Sequence, residues 1–403
     1  MKEYRLGDII DIKHGYAFDG EHIVQEDNGI VLVTPGNFRI GGGFQEEKCK
    51  FFTGEVPSDY VLSAGDYIVT MTDLSKEIDT LGYSAIVPKS DRTYLHNQRI
   101  GLISFKNDEC YPGYIYFLMR THLYQRSIAN TSTGATVHHT SPTKIYDYRF
   151  TAPDYETQRK ITDYLFAYEK LIENNQKQIK LLEEAAQRLY KEWFVDLRFP
   201  GYETTPIIDG IPEGWKKDTV DSIITLLSGF AFKSADFSDD GTYKIVTIKN
   251  VQDGMFDGHN VSRIVEVPDK MPKHCYLHDG DILLSLTGNV GRVCMVNGSD
   301  YLLNQRVAKI KSNFPAFAYC LFRSNDMFIE MGNLANGAAQ QNLSPIKTAQ
   351  IKILIPSADL FARFEEIASV YMKQTLNLNK QIELLQESRD RLLPKLMSGE
   401  LEV

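Results

Sequence analysis

Residues 161–193 read ITDYLFAYEKLIENNQKQIKLLEEAAQRLYKEW, with apolar side chains at alternating steps of four and three residues. This spacing is the seam of a heptad pattern and predicts one long helix of roughly 50 Å, at about 1.5 Å per residue. Residues 364–396, FEEIASVYMKQTLNLNKQIELLQESRDRLLPKL, keep the same register 203 positions later. The predicted seam residues are Ile161, Leu165, Ile172, Ile179, Leu182 and Leu189 in the first helix, and Phe364, Tyr371, Leu378, Ile382, Leu385 and Leu392 in the second.

An apolar seam of this length must be buried against a partner. The economical partner is the other helix of the same chain, in an antiparallel pair that would hold two globular parts at opposite ends of a rod. A coiled coil between two chains is the alternative. Asn175 and Thr375 are polar seam positions, and such residues more often fix register than perform chemistry.

The rest of the chain is also duplicated. At the same spacing of 203 residues, Tyr116 matches Tyr319, Arg120 matches Arg323, Ser141 matches Ser344 and Lys144 matches Lys347. Earlier matches have other spacings: 214 for Gly15–Phe18 and Gly229–Phe232, 215 for Gly65 and Gly280, and 207 for Asn97–Arg99 and Asn304–Arg306. Changing spacings indicate loops of different length on a shared scaffold. A protein made of two copies of one unit is expected to engage something that also has two parts.

Each copy begins with short β-branched and aromatic runs that predict strands. These runs are 30–34, 67–71, 84–87 and 100–105 in the first copy, and 244–248, 281–286, 293–296 and 307–310 in the second. A helix is predicted after Pro112 and after Pro315, because proline suits the first helical turn. The predicted fold class is α+β, with two pseudo-repeated mixed α/β domains (1–152 and 201–355, the latter with a linker) and two long helices (153–200 and 356–403) that form an intramolecular antiparallel coiled coil.

Bulk composition is that of an ordinary globular protein: 403 residues, 43% hydrophobic and 24% charged. The charged start of the chain and the absence of a long apolar run predict a cytosolic protein. The five cysteines are widely spaced, so we expect reduced, mostly buried thiols. The segment from Phe199 to Trp215 contains three prolines and three glycines and is predicted to be a linker of moderate stiffness.

The net charge of −9 argues against a protein that coats nucleic acid by bulk electrostatics. The charge is unevenly distributed, however. Residues 92–150 contain seven Lys and Arg against three Asp and Glu, and residues 301–355 contain six against two, so each stretch has a net charge of +4. This pattern indicates either two local positive faces or a chance clustering of surface charges.

Enzyme signatures are mostly absent from the sequence. No proline follows Asn or Asp and no two prolines are adjacent, which excludes the Asn/Asp-Pro-Pro-Tyr/Phe loop of amino-methyltransferases. Gly41-Gly42-Gly43 lacks the spacing of a dinucleotide site and is interpreted as a turn. His274, Cys275 and His278 lack the helix that would align them as zinc ligands, so no metal site is predicted.

Duplicated polar loops remain as the candidate functional elements. Residues 131–142 correspond to residues 334–345, and both loops contain side chains that can bond to base edges and phosphates. They could equally be plain surface turns. Gly15–Phe18 and Gly229–Phe232 are interpreted as hairpin turns with a buried aromatic side chain, with base-stacking platforms as the alternative. The DNA-contact candidates are Asn97, Arg99, Arg120, Thr136, His138, His139, Lys144, Lys249, Arg292, Asn304, Arg306, Arg323, Gln340, Gln341, Asn342 and Lys347.

With these features the chain resembles the specificity (S) subunits of type I restriction-modification systems over essentially its whole length. The resemblance depends on the two-copy layout, the repeat-end helices and three segments: 189–201 (LYKEWF…FPG), 211–215 (IPEGW) and 392–401 (LLPKLMSGEL). It implies two target recognition domains, each reading one half of a split DNA sequence. It also implies that the coiled coil spaces the halves and docks two methylation subunits, which restriction subunits then join.

The resemblance implies a non-catalytic chain without its own cofactor. S-adenosylmethionine would belong to the methylation subunits, and ATP and Mg²⁺ to the restriction subunits. Two other functions stay open: a coiled-coil adaptor that never reads DNA, for which the positive stretches would be accidental, and a DNA-modifying enzyme that acts alone.

Overall fold

The computed structural model describes residues 1–75, 77–134, 136–259, 261–335 and 341–402. The chain forms two compact units: residues 1–170 with 386–403, called here the first unit, and residues 171–385, called the second unit. The boundary between the units falls inside both long helices. Each helix segment therefore packs with the unit to which it belongs.

The long helices are present where the heptad pattern predicts them. One spans 36 residues and ends in a π-helical turn at Lys191–Val195, and the other spans 41 residues. The helices are α1 (Leu6–Ile9), α2 (Pro112–Leu118), α3 (His122–Asn130), α4 (Pro142–Tyr146), α5 (Tyr155–Tyr190), α6 (Pro315–Phe322), α7 (Asn325–Leu334), α8 (Pro345–Ala349) and α9 (Ala358–Ser398). As predicted, α2 and α6 begin at Pro112 and Pro315.

The first unit contains a five-stranded sheet of order β3-β5-β4-β10-β6 and a four-stranded sheet of order β2-β11-β7-β9. Within the first of these, β4 and β10 are parallel. The strands are β1 (Lys2–Arg5), β2 (Ile10–His14), β3 (Ile23–Val24), β4 (Ile30–Val33), β5 (Lys50–Phe52), β6 (Val61–Leu62), β7 (Tyr67–Thr70), β8 (Thr72–Asp73), β9 (Ser84–Ile86), β10 (Thr93–His96), β11 (Ile100–Phe105), β12 (His138–His139) and β13 (Arg149–Ala152).

The second unit repeats this topology with one strand fewer in the first sheet. Its sheets have the orders β19-β18-β23-β20 and β17-β24-β21-β22, and β18 and β23 are again parallel. The strands are β14 (Ile207–Ile208), β15 (Ile211–Pro212), β16 (Lys216–Thr219), β17 (Ile224–Ser228), β18 (Tyr243–Val246), β19 (Ser262–Ile264), β20 (Tyr276–Leu277), β21 (Ile282–Ser285), β22 (Val293–Met295), β23 (Tyr301–Leu303), β24 (Val307–Ser312) and β25 (Lys352–Ile355). All eight predicted strand runs are strands in the structure, with ends shifted by at most two residues.

In the second unit α5 and α9 are antiparallel. Asn175 donates its amide N–H to Gln381 Oε1 at 3.2 Å, whereas Trp193 packs on Phe364 with ring centroids 5.9 Å apart. Residues with higher numbers in the first long helix contact residues with lower numbers in α9, so the two helices are antiparallel. Asn175 is thus a polar seam residue bonded across the helix pair, as expected for a residue that fixes register.

In the first unit the other halves of α5 and α9 are also antiparallel. Ile161 and Leu165 of α5 share a core cluster with Leu393 and Leu396 of α9, while Glu169 meets Arg389 at 2.9 Å. Every predicted seam residue is buried or half-buried in its unit. The antiparallel coiled coil within one chain is confirmed, and the seam is covered without a second chain.

Each long helix also caps an earlier helix: α5 caps α2, and α9 caps α6. Gln158 accepts a hydrogen bond from the Tyr111 N–H at 2.8 Å, at the start of α2. Glu365 accepts hydrogen bonds from the N–H groups of Ala316 and Phe317 at 3.2 and 2.8 Å, at the start of α6. The free N–H groups of a helix start need such acceptors. The caps connect the long helices to the sheet-bearing part of each unit.

Both ends of the predicted linker and most of the cysteines are buried. Phe199 and Trp215, at the two ends of the predicted linker, are both buried and their ring centroids are 5.1 Å apart. The linker is therefore anchored at both ends within the second unit. All five cysteines are free, and four of them are buried, which confirms the expected thiols.

The two tryptophans of the chain, Trp193 and Trp215, both lie in the second unit, so tryptophan fluorescence reports on that unit. Phe364 is fully buried against Trp193, Phe194 and Phe317. We expect Phe364→Ala to lower the free energy of unfolding by about 3–5 kcal/mol, because it removes buried aromatic area and leaves a cavity. Urea denaturation followed by tryptophan fluorescence measures the change.

The matched control is Leu384→Ala on the same helix, because Leu384 is 62% exposed. It should change the unfolding free energy by less than about 1 kcal/mol. Equal losses for the two variants would contradict the seam as described.

Candidate functional site

Three segments lie side by side at one edge of the first unit. The Met71 N–H donates to the Arg99 carbonyl at 3.0 Å, and the Thr140 N–H donates to the Met71 carbonyl at 3.0 Å. Strand β12 extends the contact by pairing His139 with Thr72. The turn after β10, the end of β7 and the predicted polar loop thus form one surface, called here the first polar edge.

The second unit has the same arrangement, called the second polar edge. The Leu286 N–H donates to the Arg306 carbonyl at 2.9 Å, and the Leu343 N–H donates to the Leu286 carbonyl at 2.7 Å. The Gly288 N–H also donates to the Gln341 carbonyl at 3.2 Å. Segments that are far apart in sequence are therefore joined by equivalent backbone hydrogen bonds in both units.

The glycine-aromatic turns add a fourth segment to each edge. The Tyr16 N–H donates to the His96 carbonyl and the Gln98 N–H donates to the Tyr16 carbonyl, both at 2.8 Å. In the second unit Phe230 makes the equivalent pair of bonds with Leu303 and Gln305, both at 2.9 Å.

These turns are not hairpin turns, so that interpretation is wrong. Tyr16 forms a parallel bridge with Asn97, and Phe230 forms one with Asn304. Glycine is needed beside them because a Cβ on Gly15 would lie 2.1 Å from the Asn97 carbonyl oxygen. The expected buried aromatic is also wrong for Tyr16, which is 43% exposed. The Tyr16 ring packs on Phe18 and Tyr60, with centroids 5.1 and 5.2 Å apart, and the rest of the side chain is open to solvent.

Asn97 and Asn304 brace the turns that carry the two arginines. The Arg99 N–H donates to Asn97 Oδ1 at 3.1 Å, and the Arg306 N–H donates to Asn304 Oδ1 at 3.1 Å. Such local side-chain bonds are typical of asparagine in turns. The side chains of Arg99 and Arg306 belong to exposed residues and make no ion pair within the described ranges. Both guanidinium groups are available to a ligand.

The polar loop supplies the other candidates of the first unit. His139 Nδ1 lies 3.1 Å from Thr72 Oγ1, His138 is half-buried, and Thr136 is exposed. Lys144 Nζ is engaged within the loop, since it donates to the Thr131 carbonyl. The structure thus exposes Thr136 and His139, leaves His138 half-buried, and bonds Lys144 to the start of the loop.

In the second unit the structure exposes Gln341 and Asn342 beside the end of β21, and Thr287 forms a bridge with Asn342. Lys249 is exposed on the turn after β18, a strand whose Val246 carbonyl accepts from the Asn304 N–H at 3.1 Å. Other candidates are less central. Arg292 is half-buried opposite Ser285, Lys347 is exposed on α8, and Gln340 lies outside the described residues.

Arg120 and Arg323 do not belong to the polar edges. Arg120 is only 5% exposed and pairs with Glu169 at 2.9 Å. Arg323 pairs with Glu183 and Asp253, both at 3.1 Å. The burial of Arg120 and the ion pairs of both arginines engage these guanidinium groups with acids of their own unit, which disfavours the predicted DNA contact.

Ion pairs with acids distant in sequence also reduce the net positive charge of residues 92–150 and 301–355. Besides Arg120 and Arg323, the paired residues are Arg92 with Asp27 and Glu46, Arg149 with Glu3, and Lys309 with Asp281. Most of these acids lie outside the stretches that were counted. The positive charge left at the edges is therefore concentrated in a few side chains, chiefly Arg99 and Arg306.

The hairpin loop beside the edge differs between the units. In the first unit 13 residues, 71–83, connect β7 to β9, whereas seven residues, 286–292, connect β21 to β22 in the second. Buried Asp73 holds the longer loop by accepting from the N–H groups of Ser75 and Thr80 and from the Thr80 hydroxyl, each at 2.6 Å. Burial alone would raise the pKa of Asp73, but these hydrogen bonds lower it.

The sequence carries a further repeat signal at this part of the edge, which is not among the predicted site residues. Thr72 and Thr287 match at the spacing of 215 residues that also relates Gly65 to Gly280. Thr72 and Thr287 directly follow Met71 and Leu286, the residues whose backbone groups bond to the two neighbouring segments of each edge.

No helix in the described part of the chain combines the length and the apolar character that a membrane span requires. Among the same residues, no three His, Cys, Asp or Glu side chains are grouped so as to hold a metal ion. His274 Nε2 instead lies 2.9 Å from the Ser228 carbonyl oxygen.

The chain is thus a duplicated α+β protein with one polar edge in each copy and two long antiparallel helices. The family model for the type I restriction modification DNA specificity domain matches residues 1–184 and, a second time, residues 212–384. These matches cover most of the chain, which therefore belongs to this family of DNA specificity subunits.

Individual relatives agree with the family. The type I restriction enzyme MjaIX specificity subunit of Methanocaldococcus jannaschii is 26% identical over 304 residues, which are 72% of this chain and 69% of that protein. The EcoBI specificity subunit of Escherichia coli is 21% identical over 424 residues, covering 98% and 85%. The type I restriction-modification S subunit from M. genitalium has the same fold, with a TM-score of 0.57, 15% identity and coverage of 98% and 96%.

His96, at the end of β10, makes the stability of the first unit depend on pH. Burial lowers the pKa of His96, whose Nε2 lies 2.9 Å from the Ile100 carbonyl oxygen. Below about pH 6.5 the unfolded chain binds a proton at His96 that the folded chain resists, so folding stability falls as the pH falls. We expect His96→Gln to flatten this loss below about pH 6.5.

The measurement is urea denaturation followed by circular dichroism at several pH values. His122→Gln is the control, because His122 is exposed at the start of α3 and is not among the groups that act on His96, and this variant should keep the wild-type pH dependence. A His96→Gln chain with the wild-type pH dependence would show that His96 does not cause it.

Proposed function

We propose that each polar edge reads one half of a two-part DNA sequence. Residues 1–152 would form the first reader and residues 201–355 the second, with residues 153–200 and 356–403 as the helical spacer. The observation that carries this proposal is the duplicated row of backbone hydrogen bonds that places Arg99 and Arg306 at equivalent exposed positions. The chain itself would be non-catalytic.

The chemistry of the edges suits direct readout of bases. Arginine can make a bidentate contact with guanine, and asparagine or glutamine can make one with adenine. Arg99, His139 and Tyr16 are available at the first edge, and Arg306, Gln341 and Asn342 at the second. Because the two sets differ while the backbone is equivalent, the two half-sites should have different sequences.

We also propose that the chain assembles with methylation and restriction subunits. We place two methylation subunits against the coiled coil, with restriction subunits joining that complex, S-adenosylmethionine on the methylation subunits, and ATP and Mg²⁺ on the restriction subunits. Large apolar side chains exposed on the long helices support a docking role; they are Tyr164, Leu171, Leu181, Val370 and Leu384. Partner subunits that contribute phosphate contacts would also explain how a chain of net charge −9 serves DNA binding.

Replacing each exposed arginine should relax one half-site only. We expect Arg99→Ala to cost about 1–3 kcal/mol of discrimination at the first half-site and Arg306→Ala the same at the second, because each variant loses one base contact. Competition binding of the assembled complex to duplexes altered in one half-site measures this, with the recognised sequence taken from methylation profiling of the host genome.

Arg159→Ala is the control, because Arg159 is an exposed arginine of α5 that pairs with Glu156 on the same helix. It should bind like the wild type. Binding by the wild-type complex that is blind to sequence would favour an adaptor that does not read DNA. Loss at both half-sites in Arg99→Ala would refute separate reading.

The helical pair should set the length of the unread spacer. Inserting seven residues in α5 after Asn175 and seven in α9 before Gln381 keeps the seam in register at this hydrogen bond. One heptad adds roughly 10 Å of helix, so the preferred spacer should lengthen by about three base pairs. Selection of bound duplexes from a pool of spacer lengths gives the answer.

Insertion into α5 alone is the control, since it shifts one half of the seam against the other and should abolish assembly. A doubly inserted, assembled complex that keeps the original spacer would disprove the spacing role of the helices.

A further inference from the structure

Arg120 and Arg323 occupy equivalent positions just after α2 and α6, and each connects three parts of its unit. Arg120 Nη1 donates to the Tyr116 hydroxyl at 2.6 Å and to Glu169 Oε1 of α5 at 2.9 Å. Its Nε donates to the Gly41 carbonyl at 2.8 Å. One buried side chain thus joins α2, α5 and a turn of the sheet-bearing part.

Arg323 makes the equivalent contacts in the second unit. Its Nη1 lies 3.0 Å from the Tyr319 hydroxyl and 3.1 Å from Glu183 Oε1 of α5, and its Nε donates to Asp253 Oδ1 at 3.1 Å. The Tyr319 hydroxyl also donates to Glu183 at 2.9 Å. The tyrosine, the arginine and the acid on α5 recur as one motif in both units.

The turn held by each arginine is built around it. A Cβ on Gly42 or on Gly254 would lie 2.5 Å from the arginine side chain, so only glycine fits there. The Gly43 N–H donates to the Ser84 carbonyl of β9, and the Gly254 N–H donates to the Val293 carbonyl of β22. These strands belong to the hairpins whose other strands lead into the polar edges. The contacts therefore run from α5 through the arginine to the sheet that carries each edge.

The acids break the internal repeat. The match to Glu169 at the spacing of 203 residues is Met372 on α9, yet Arg323 pairs with Glu183, on α5 again. Glu169 and Glu183 are 14 residues apart, which is two heptads, and so they lie on one face of α5. The two acids that pair with the arginines are therefore not related by the duplication.

We propose that Arg120 and Arg323 are positioning residues that fix the angle of each reader on α5, and through it the spacer length that the complex accepts. The inference rests on the proposed function. Arginine suits this role because its planar fork holds several acceptors in one fixed geometry. Burial would raise the pKa of Glu169, but the charges of Arg120 and Arg389 lower it, which keeps the carboxylate ionised in the contact.

The test is Arg120→Met in the full-length chain, assembled with its partner subunits. Glu169 keeps its 2.9 Å pair with Arg389 in this variant, so no carboxylate is left unpaired. The probes are duplexes with the wild-type half-sites and a spacer of native length, one base pair shorter or one base pair longer. We expect discrimination between spacers to fall at least about tenfold, which corresponds to about 1.4 kcal/mol, while the bases preferred at each half-site stay the same.

Arg120→Lys guards against misfolding, since it keeps the charge but cannot reach the Gly41 carbonyl and Glu169 together; it should show the same relaxed spacer preference. Arg126→Met, an exposed arginine on α3, is the matched control and should behave as wild type. A purely structural role predicts equal loss of affinity for all three spacers, and that result, or unchanged discrimination in both Arg120 variants, would overturn the proposal. A wild-type complex with no spacer preference would instead contradict the proposed function itself.

Discussion

The burial of one apolar seam between α5 and α9 is the constraint on which the rest of the structure depends. Neither helix can expose such a stripe to water over its whole length, and pairing the two within one chain covers both. The same helices then satisfy the free N–H groups at the starts of α2 and α6 through Gln158 and Glu365. Because a helix start without acceptors is costly to bury, these caps connect the stability of the sheet-bearing parts to that of the seam.

The sequence predicted the features that depend on local periodicity. Strand runs, the two proline-initiated helices and the seam all follow from the spacing of apolar residues within a short window, and the structure confirms them. The polar edges could not be predicted as surfaces. They depend on hydrogen bonds between segments such as those of Arg99, Met71 and Thr140, which are far apart in sequence and are adjacent only after the sheets have formed. Repeat matching located the individual segments, but neither their neighbours nor their exposure.

Arg120 and Arg323 show why the charge pattern misled. Both match perfectly in the repeat and lie in stretches of net positive charge, which is also what a DNA-contact residue would show. Their partners, Glu169 and Glu183, are contributed by α5, outside the counted stretches. A buried arginine needs a carboxylate nearby, but sequence separation does not limit where that carboxylate comes from. The net charge of a sequence window therefore overestimates the positive charge at the surface when acids of a distant helix pair with the basic residues of that window.

The two units have the same backbone contacts at their polar edges but different side chains and loop lengths. The backbone bonds that join the edge segments are equivalent in both, including the bridges made by Tyr16 and Phe230. The side chains presented there differ, as do the hairpin loops of 13 and seven residues beside them. Main-chain hydrogen bonds do not depend on side-chain identity, so residues at the edge can change without disturbing the frame. An arrangement of this kind allows the side chains presented at either edge to change independently, because the main-chain bonds that join the edge segments do not depend on those side chains.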